Sequence, residues 1–222
     1  IPSVDRAMRW GFNWDLGPFE TWDAIGFRKS VEKMVGGGDE IPDNINKMIK
    51  SGRERFYQKR RGRSYYYDLV KADYEKIDEK PEIILIPSLK ERKKLIKSNA
   101  GASLVDMGDE VACLEFHSLN NAIDPDVIQM MLDSVAEVEA NFKGLVIGNQ
   151  GTNFCLGADL KQIYLAAQEK QWDNLELALK SLQQACMRIK YSEKPIVAAP
   201  FRMTLGGGCE ICLASSMVRA HA

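Results

Sequence analysis

An apolar strand, a glycine turn and a helix start follow one another in the segment Leu145-Val146-Ile147-Gly148-Asn149-Gln150-Gly151-Thr152-Asn153-Phe154-Cys155-Leu156-Gly157-Ala158-Asp159-Leu160-Lys161. The same order recurs later, where the apolar run at 195–200 precedes Leu205-Gly206-Gly207-Gly208-Cys209-Glu210. Short apolar strands that alternate with helices are typical of α/β folds whose strands pair in parallel. We call residues 153–161 the first glycine loop and residues 205–210 the second glycine loop.

The residues before this segment continue the alternation back to about residue 103. Val111–Phe116 has the composition of a strand, and Asp124-Pro125 follows it. Aspartate is a favoured N-cap and proline fits the first helical turn. Apolar residues at helical spacing continue as far as Asn141, so the sequence predicts a helix between two strands.

The first 64 residues have a different pattern, in which glycine and proline separate short helical stretches. Gly26 and the glycine run at 36–38 each follow such a stretch. We therefore predict a helical domain without strands over residues 1–64, a linker over residues 65–102 and an α/β domain over residues 103–222.

The composition is that of a globular protein, since 45% of the 222 residues are hydrophobic and 27% are charged. The net charge of −1 gives no field that would attract nucleic acid or an acidic membrane. The basic stretch at 53–63 is therefore interpreted as a solvated helix end rather than as a nucleic-acid or phosphate patch. No apolar run reaches the roughly 20 residues of a membrane-spanning helix.

The cysteines and the N-terminal residues bear on the compartment. Five cysteines are an odd number at scattered spacing, which argues against a secreted disulfide framework. The residues from Ile1 onward show no basic and then apolar signal segment. We expect a cytoplasmic protein that inserts into no membrane and binds no nucleic acid, and we leave homo-oligomerisation open.

Several motifs with known chemistry are missing. The sequence has no G-x-G-x-x-G dinucleotide loop, no G-x-x-x-x-G-K-[ST] phosphate loop and no G-x-S-x-G nucleophile turn. His117 and His221 are the two histidines, and neither has a carboxylate at ligand spacing, so we expect no metal site. The pair Cys209 and Cys212 is interpreted as small thiols packed at a helix start rather than as a zinc or redox motif.

The two glycine loops carry the chemistry that the sequence predicts. Glycine at a strand-to-helix turn leaves backbone N–H groups unpaired and uncovered by side chains. Two such donors that converge on one point form an oxyanion hole, each worth roughly 3–4 kcal/mol of transition-state stabilisation. Glu210 lies on the first turn of the second helix, where it is either a catalytic carboxylate or a carboxylate favoured only by the helix dipole.

Both loops resemble the enoyl-CoA hydratase, or crotonase, family. Phe154–Lys161 is similar to its F-x-x-G-A-D-[LI]-K loop, and Leu205–Glu210 is similar to its G-G-G-C-E loop. The resemblance covers about residues 103–222 and implies an α/β fold that forms the first part of a crotonase-like ββα spiral. It also implies acyl thioesters of coenzyme A as substrates.

The resemblance implies roles for individual residues. The N–H groups of Ala158 and Gly207 would hold the thioester oxygen as it becomes an enolate, and Glu210 would match the first of two catalytic glutamates. Asp159 is interpreted as the cap of the following helix. The candidates for contacts with coenzyme A are Asn121 and Ala122, which resemble a segment near its nucleotide end, and Lys161, for which a solvated lysine is the alternative.

The N-terminal residues resemble a second family. Val4–Gly11 and the G-P-F-E-T-W-D-A-I-G segment at 17–26 are similar to the helical C-terminal domain of 3-hydroxyacyl-CoA dehydrogenases. Such a domain followed by a hydratase resembles bifunctional fatty-acid β-oxidation proteins, which implies an NAD-dependent parent enzyme whose NAD-binding domain is not in this chain. The second glutamate would lie beyond Ala222, so we expect a fragment, truncated at both ends, that by itself shows neither hydratase nor dehydrogenase turnover.

Two other functions stay open at this stage. Isomerases and CoA-thioester hydrolases use the same oxyanion loops with other side chains. A non-catalytic assembly module is the third hypothesis, in which the aromatic-rich first 60 residues bind a partner subunit.

Overall fold

The structure is a computed structural model that describes residues 1–78 and 83–221. The chain divides into two compact units, Ile1–Ile83 and Ile84–Ala222. Parts of the predicted linker and of the predicted α/β domain, residues 79–82 and 222, lie outside the described residues.

The first unit begins with the predicted helices. They are α1 (Pro2–Phe12), α2 (Pro18–Ile25), α3 (Phe27–Gly36) and α4 (Asp43–Lys50). Pro18 takes the first position of α2, and Gly26 ends that helix with a φ of 98° that favours glycine. Phe27, Val31 and Met48 are buried in the core of this unit.

Three strands follow in a region where we expected none. They are β1 (Tyr57–Arg60), β2 (Arg63–Asp68) and β3 (Asp73–Lys76), which pair antiparallel in the order β1-β2-β3. The predicted absence of strands before residue 65, and the predicted linker after it, are wrong for these residues. The exposed strand positions carry lysine, arginine, serine and aspartate, and the half-buried positions also include polar residues, so the alternation that marks a half-buried strand is hidden.

The basic stretch is therefore a hairpin and not a helix end. Arg61 and Gly62 form its turn, with φ values of 48° and 71°. Phe56 and Tyr67, on either side of the hairpin, are both fully buried. Burial of these two rings against the helices favours the sheet over a continued helix.

The second unit contains a mixed six-stranded sheet in the order β4-β5-β6-β7-β8-β9. Its strands are β4 (Leu95–Ser98), β5 (Ala102–Gly108), β6 (Val111–Phe116), β7 (Gly144–Gly148), β8 (Ile196–Ala198) and β9 (Met217–Val218). The first three strands pair antiparallel, and β6 to β9 pair in parallel. The α/β class with parallel pairing is confirmed.

Five α-helices accompany this sheet in the described part of the chain. They are α5 (Ile86–Glu91), α6 (Pro125–Asn141), α7 (Leu160–Gln168), α8 (Trp172–Lys190) and α9 (Gly207–Ala214). The predicted start of α6 is confirmed, because the Asp124 carboxylate accepts the Val127 N–H at 2.8 Å and Pro125 takes the first turn. α5 and β4 occupy part of the region predicted to be a linker.

The main core lies between α6 and the sheet. Buried apolar side chains of α6, such as Met131 and Val135, share one cluster with Leu114 and Ile147 of the central strands and with Ile189 of α8. Among residues 1–78 and 83–221, no helix combines the length and the apolarity needed to cross a membrane. The rigid parallel strands place their carboxyl ends at a single edge of the sheet, where both glycine loops begin.

Candidate active site

The two glycine loops are joined by backbone hydrogen bonds at the carboxyl edge of the parallel strands. The Cys155 N–H donates to the Met203 carbonyl at 3.3 Å, and the Leu205 N–H donates back to the Cys155 carbonyl at 3.0 Å. These bonds form a parallel bridge between Cys155 and Thr204. Ligands of parallel sheets bind outside the carboxyl ends of the strands, so this is where a site is expected.

The two loops also approach each other closely at Gly157. Its φ of 84° lies in the region that favours glycine. A Cβ atom on Gly157 would lie 2.8 Å from the Leu205 carbonyl oxygen and 3.4 Å from the Gly207 nitrogen. Only glycine fits there, and its absence of a side chain brings the Ala158 peptide next to the start of α9.

Two backbone N–H groups at this contact have no partner in the described chain. Gly208 donates to the Leu205 carbonyl at 2.9 Å, and Cys209 and Glu210 donate to the Gly206 carbonyl at 2.9 and 3.1 Å. The hydrogen bonds of residues 1–78 and 83–221 include none donated by the N–H of Gly207 or of Ala158. An unpaired donor is normal at the first residue of a helix, and here a second one lies beside it.

Apolar groups surround the Gly207 end of this contact. A Cβ atom on Gly207 would lie 2.6 Å from Ile123 Cδ1 and 3.4 Å from Leu182 Cδ2. Gly207 is buried and Ala158 is half-buried. Donors against an apolar wall interact more strongly with a developing negative charge than donors in water.

The cysteines near the loops are packed thiols. Cys155 is fully buried, its Sγ accepts the Gly157 N–H at 3.4 Å, and burial raises its pKa. Burial also raises the pKa of Cys212 to about 11, whereas Cys209 is exposed. Within the described ranges no group of three or more histidine, cysteine or acidic side chains is arranged to hold a metal ion.

Glu210 lies three residues after Gly207 on α9, and so on the same side of that helix. Its side chain is exposed, and no hydrogen bond or ion pair of the described residues uses it. Burial, and after it the charge of Glu210, raises the pKa of Cys186. Of the two large apolar residues that follow Glu210 on α9, Ile211 is buried and Leu213 is 79% exposed, so Leu213 gives Glu210 no buried apolar surroundings.

Asp159 is the predicted helix cap. Its Oδ1 accepts the N–H groups of Lys161 at 3.0 Å and of Gln162 at 3.3 Å, at the start of α7. Lys161 itself is exposed on the first turn of α7. The structure therefore uses Asp159 for the helix and leaves the Lys161 side chain directed to solvent.

Asn121 and Ala122 lie in the loop that follows β6, and their polar groups are engaged within the protein. The Asn121 side-chain amide donates to the Asn153 carbonyl at 2.8 Å. The Ala122 N–H donates to the Leu119 carbonyl at 3.1 Å, and the Ala122 carbonyl accepts the Ser118 hydroxyl at 2.6 Å. The structure thus brings Asn121 to the base of the first glycine loop.

Sequence reasoning missed two asparagines that hold this loop. The Asn149 amide donates to the Phe154 carbonyl at 2.8 Å, and its oxygen accepts the Gly151 N–H at 2.8 Å. Asn153 Oδ1 accepts the Met203 N–H at 3.4 Å. The signal that could have found them is local, because asparagine beside glycine in a turn commonly hydrogen-bonds nearby backbone.

Comparison with known proteins finds similar sequences that cover both units of the chain. The family model described as enoyl-CoA hydratase/isomerase matches residues 107–221. The chain is 49% identical over 220 residues to a probable 3-hydroxyacyl-CoA dehydrogenase of Bacillus subtilis strain 168, which covers 99% of this chain. It is 28% identical over 221 residues, its whole length, to a Rickettsia prowazekii protein named for a trifunctional enzyme of the fatty acid oxidation complex. The chain spans 28% of the length of each relative.

A solved structure has the same fold. The crystal structure of an enoyl-CoA hydratase from Polaromonas sp. JS666 aligns with a TM-score of 0.50 at 22% identity, over 54% of this chain and 47% of that chain. The predicted crotonase-like fold of the second unit is therefore confirmed.

Proposed function

This chain belongs to the enoyl-CoA hydratase/isomerase family, and from that premise we propose that its second unit binds acyl-CoA thioesters and stabilises the enolates formed from them. The oxygen of the thioester would lie between the N–H groups of Ala158 and Gly207. Glu210 would transfer the proton.

The observation that carries this proposal is the contact at Gly157. Two N–H donors without partners among the described residues lie on adjacent loops at the carboxyl edge of the sheet, and the hydrogen bonds at Cys155 hold these loops together. An acyl thioester gains nearly a full charge on its oxygen when it becomes an enolate, so donors fixed in advance favour the enolate over the ground state. An oxyanion hole of this kind needs no side chain of its own.

Glu210 supplies the carboxylate. When the α-carbon of a bound thioester loses its proton, the C–H electron pair forms the new C=C bond and the carbonyl π pair moves to oxygen. The Glu210 carboxylate would take that proton, and the Ala158 and Gly207 N–H groups would hold the oxyanion. Glu210 is suited to this role because its side chain is exposed beside Gly207 and has no partner in the described chain.

We extend the proposal to a longer protein, similar to these relatives, of which this chain would be one part. Their names support an enzyme of fatty-acid β-oxidation in which the first unit belongs to a 3-hydroxyacyl-CoA dehydrogenase. We propose in addition that this enzyme is cytoplasmic and uses NAD. The residues present do not fit NAD, because the sequence has no G-x-G-x-x-G loop, so no residue is assigned to it. For coenzyme A itself we retain Asn121, Ala122 and Lys161 as proposed contacts.

Isomerisation is the second candidate reaction. It removes a proton from one carbon and returns it to another, which takes a single base and the same oxyanion donors. Glu210 is the carboxylate at the glycine loops that is not used as a helix cap, and this favours a one-base reaction in the described chain. A 3-enoyl-CoA substrate converted to the 2-enoyl isomer would identify it.

The test is exchange of the α-hydrogens of butanoyl-CoA for deuterium in D2O, followed by mass spectrometry. Glu210→Gln should lower the exchange rate by roughly 10²–10⁴ with little change in the dissociation constant. Glu110→Gln is the matched control, since Glu110 is exposed on the turn before β6, at the amino end of that strand. An unchanged rate in Glu210→Gln removes Glu210 from the mechanism, and no binding by the unaltered chain refutes the proposed function.

A further inference from the structure

One residue, Asn153, is hydrogen-bonded to both of the other loops at the carboxyl edge of the sheet. Its backbone carbonyl accepts the Asn121 side-chain amide, from the loop after β6, at 2.8 Å. Its side-chain oxygen accepts the Met203 N–H, from the loop after β8, at 3.4 Å. Asn153 itself lies in the loop after β7, so three consecutive loops are joined at this position.

The pattern of bonds explains why a side chain is needed there. In a regular parallel ladder, backbone carbonyls accept the N–H groups of the neighbouring strand at every second residue. Cys155 follows this rule, since its carbonyl accepts the Leu205 N–H at 3.0 Å. Two residues earlier, the Asn153 carbonyl accepts from Asn121, and the Asn153 side chain accepts the Met203 N–H.

The surroundings of Asn153 are closely packed. The Asn121 backbone has a φ of 51°, a left-handed conformation that asparagine tolerates well, and it directs the amide at the Asn153 carbonyl. A Cβ atom on Gly151 would lie 3.1 Å from both the Asn121 amide nitrogen and the Asn149 amide oxygen. The amides therefore leave little freedom to the residues that lead into the first glycine loop.

We propose that Asn153 is a positioning residue that fixes the separation of the Ala158 and Gly207 N–H groups. It precedes Ala158 by five residues, and its partner Met203 precedes Gly207 by four. The bond to Met203 thus lies at the base of the two segments that carry the donors. The inference rests on the proposed function, because it concerns the same oxyanion hole.

Two substitutions distinguish the effect of the Asn153 side-chain oxygen, the hydrogen-bond acceptor, from the effect of the side chain's size. Asn153→Leu keeps the approximate size and removes the acceptor for Met203, whereas Asn153→Asp keeps an oxygen where the amide oxygen lies. Asn141→Leu is the control, because Asn141 is exposed at the end of α6 and its amide contacts only Glu137 among the described side chains. If Asn153→Leu does not fold, Asn153→Ala removes the acceptor with a smaller side chain.

The probe is 4-dimethylaminocinnamoyl-CoA, a thioester whose absorbance moves to longer wavelength when hydrogen bonds polarise its carbonyl. The red shift is measured with the chain in saturating excess, so it reports the geometry of the donors and not the affinity. We expect the full red shift with the unaltered chain, Asn141→Leu and Asn153→Asp, and loss of most of it with Asn153→Leu. Circular dichroism and thermal unfolding confirm that each variant is folded.

The outcomes distinguish the two proposals. An equal red shift in Asn153→Leu and the unaltered chain overturns the role of Asn153 and leaves the oxyanion hole in place. Loss of the shift in both Asn153→Leu and Asn153→Asp also overturns it, because the retained acceptor then does not matter. Binding without any red shift in the unaltered chain overturns the oxyanion hole itself.

Discussion

Gly207→Pro removes one N–H group from the proposed site and keeps the start of α9. Proline is favoured at the first position of a helix, and Gly207 takes that position. The Gly207 N–H donates no hydrogen bond in the described chain, so no structural bond is lost with it. Loss of one oxyanion donor should cost about 3–4 kcal/mol of transition-state stabilisation, or roughly 10²–10³ in rate.

The ring of proline also adds atoms, and this effect must be measured separately. A Cβ atom at position 207 would lie 2.6 Å from Ile123 Cδ1, the end of a side chain that is 6% exposed. Leu182 Cδ2, at 3.4 Å, would need only a small adjustment. Overpacking of this kind typically costs about 1–3 kcal/mol. Gly207→Ala adds the same Cβ and keeps the N–H, so it isolates the steric part.

The assay is deuterium exchange into butanoyl-CoA by three proteins: the unaltered chain, Gly207→Ala and Gly207→Pro. Gly207→Pro should be slower than Gly207→Ala by roughly 10²–10³, because the two variants differ at the donor and share the Cβ. Equal exchange rates for the alanine and proline variants would refute the assignment of the Gly207 N–H as an oxyanion donor.

Three further predictions concern the whole chain, its thiols and its ion pairs. The 222-residue chain should not hydrate crotonyl-CoA, because hydration in this family takes two glutamates. It should not reduce NAD with 3-hydroxybutanoyl-CoA, because the sequence has no G-x-G-x-x-G loop. Spectrophotometric turnover in either assay contradicts this prediction. Burial raises the pKa of Cys113 to about 12 and of Cys212 to about 11. Iodoacetamide should therefore label the exposed Cys209 first near neutral pH, as measured by mass spectrometry. Equal labelling of Cys209 and Cys212 would count against the burial of the Cys212 thiol. The hydrogen bond from Lys97 lowers the pKa of Asp133. The pair therefore stabilises the fold at pH values above 3.8, the ordinary pKa of the carboxyl group, and this stabilisation is lost as the pH falls through the lowered pKa of the folded state. Asp133→Asn should therefore lower the free energy of unfolding, measured with urea, by less than about 1 kcal/mol at neutral pH and not at all in strong acid. A loss of stability that persists in strong acid would show that the contribution of Asp133 is not electrostatic.

The elements of the second unit were largely predictable because their signals are local. Asp124-Pro125 marks a helix start by its own chemistry, and the apolar runs at β7 and β8 are bounded by glycine or proline. Ala158 and Gly207 could be identified as candidate donor positions because glycine turns that open helices leave N–H groups unpaired.

The parts that were missed depend on partners distant in sequence. The strand at Tyr57–Arg60 consists of polar and charged residues, and it becomes a strand because Phe56 and Tyr67 are buried in the same core. Likewise, asparagine in a turn predicts a bond to nearby backbone, but the bond from Met203 to Asn153 spans fifty residues and depends on the packing of two loops. Leu213 fits a helical apolar pattern, yet α9 leaves it exposed.

A crystal structure of this chain with acetoacetyl-CoA, a thioester that enolises readily, would show whether the two N–H groups form an oxyanion hole. We predict that the thioester oxygen lies within about 2.7–3.1 Å of both the Ala158 and the Gly207 nitrogens, with the Glu210 carboxylate facing the α-carbon. A thioester oxygen that meets neither nitrogen, in a complex where the ligand is otherwise well ordered, would contradict it.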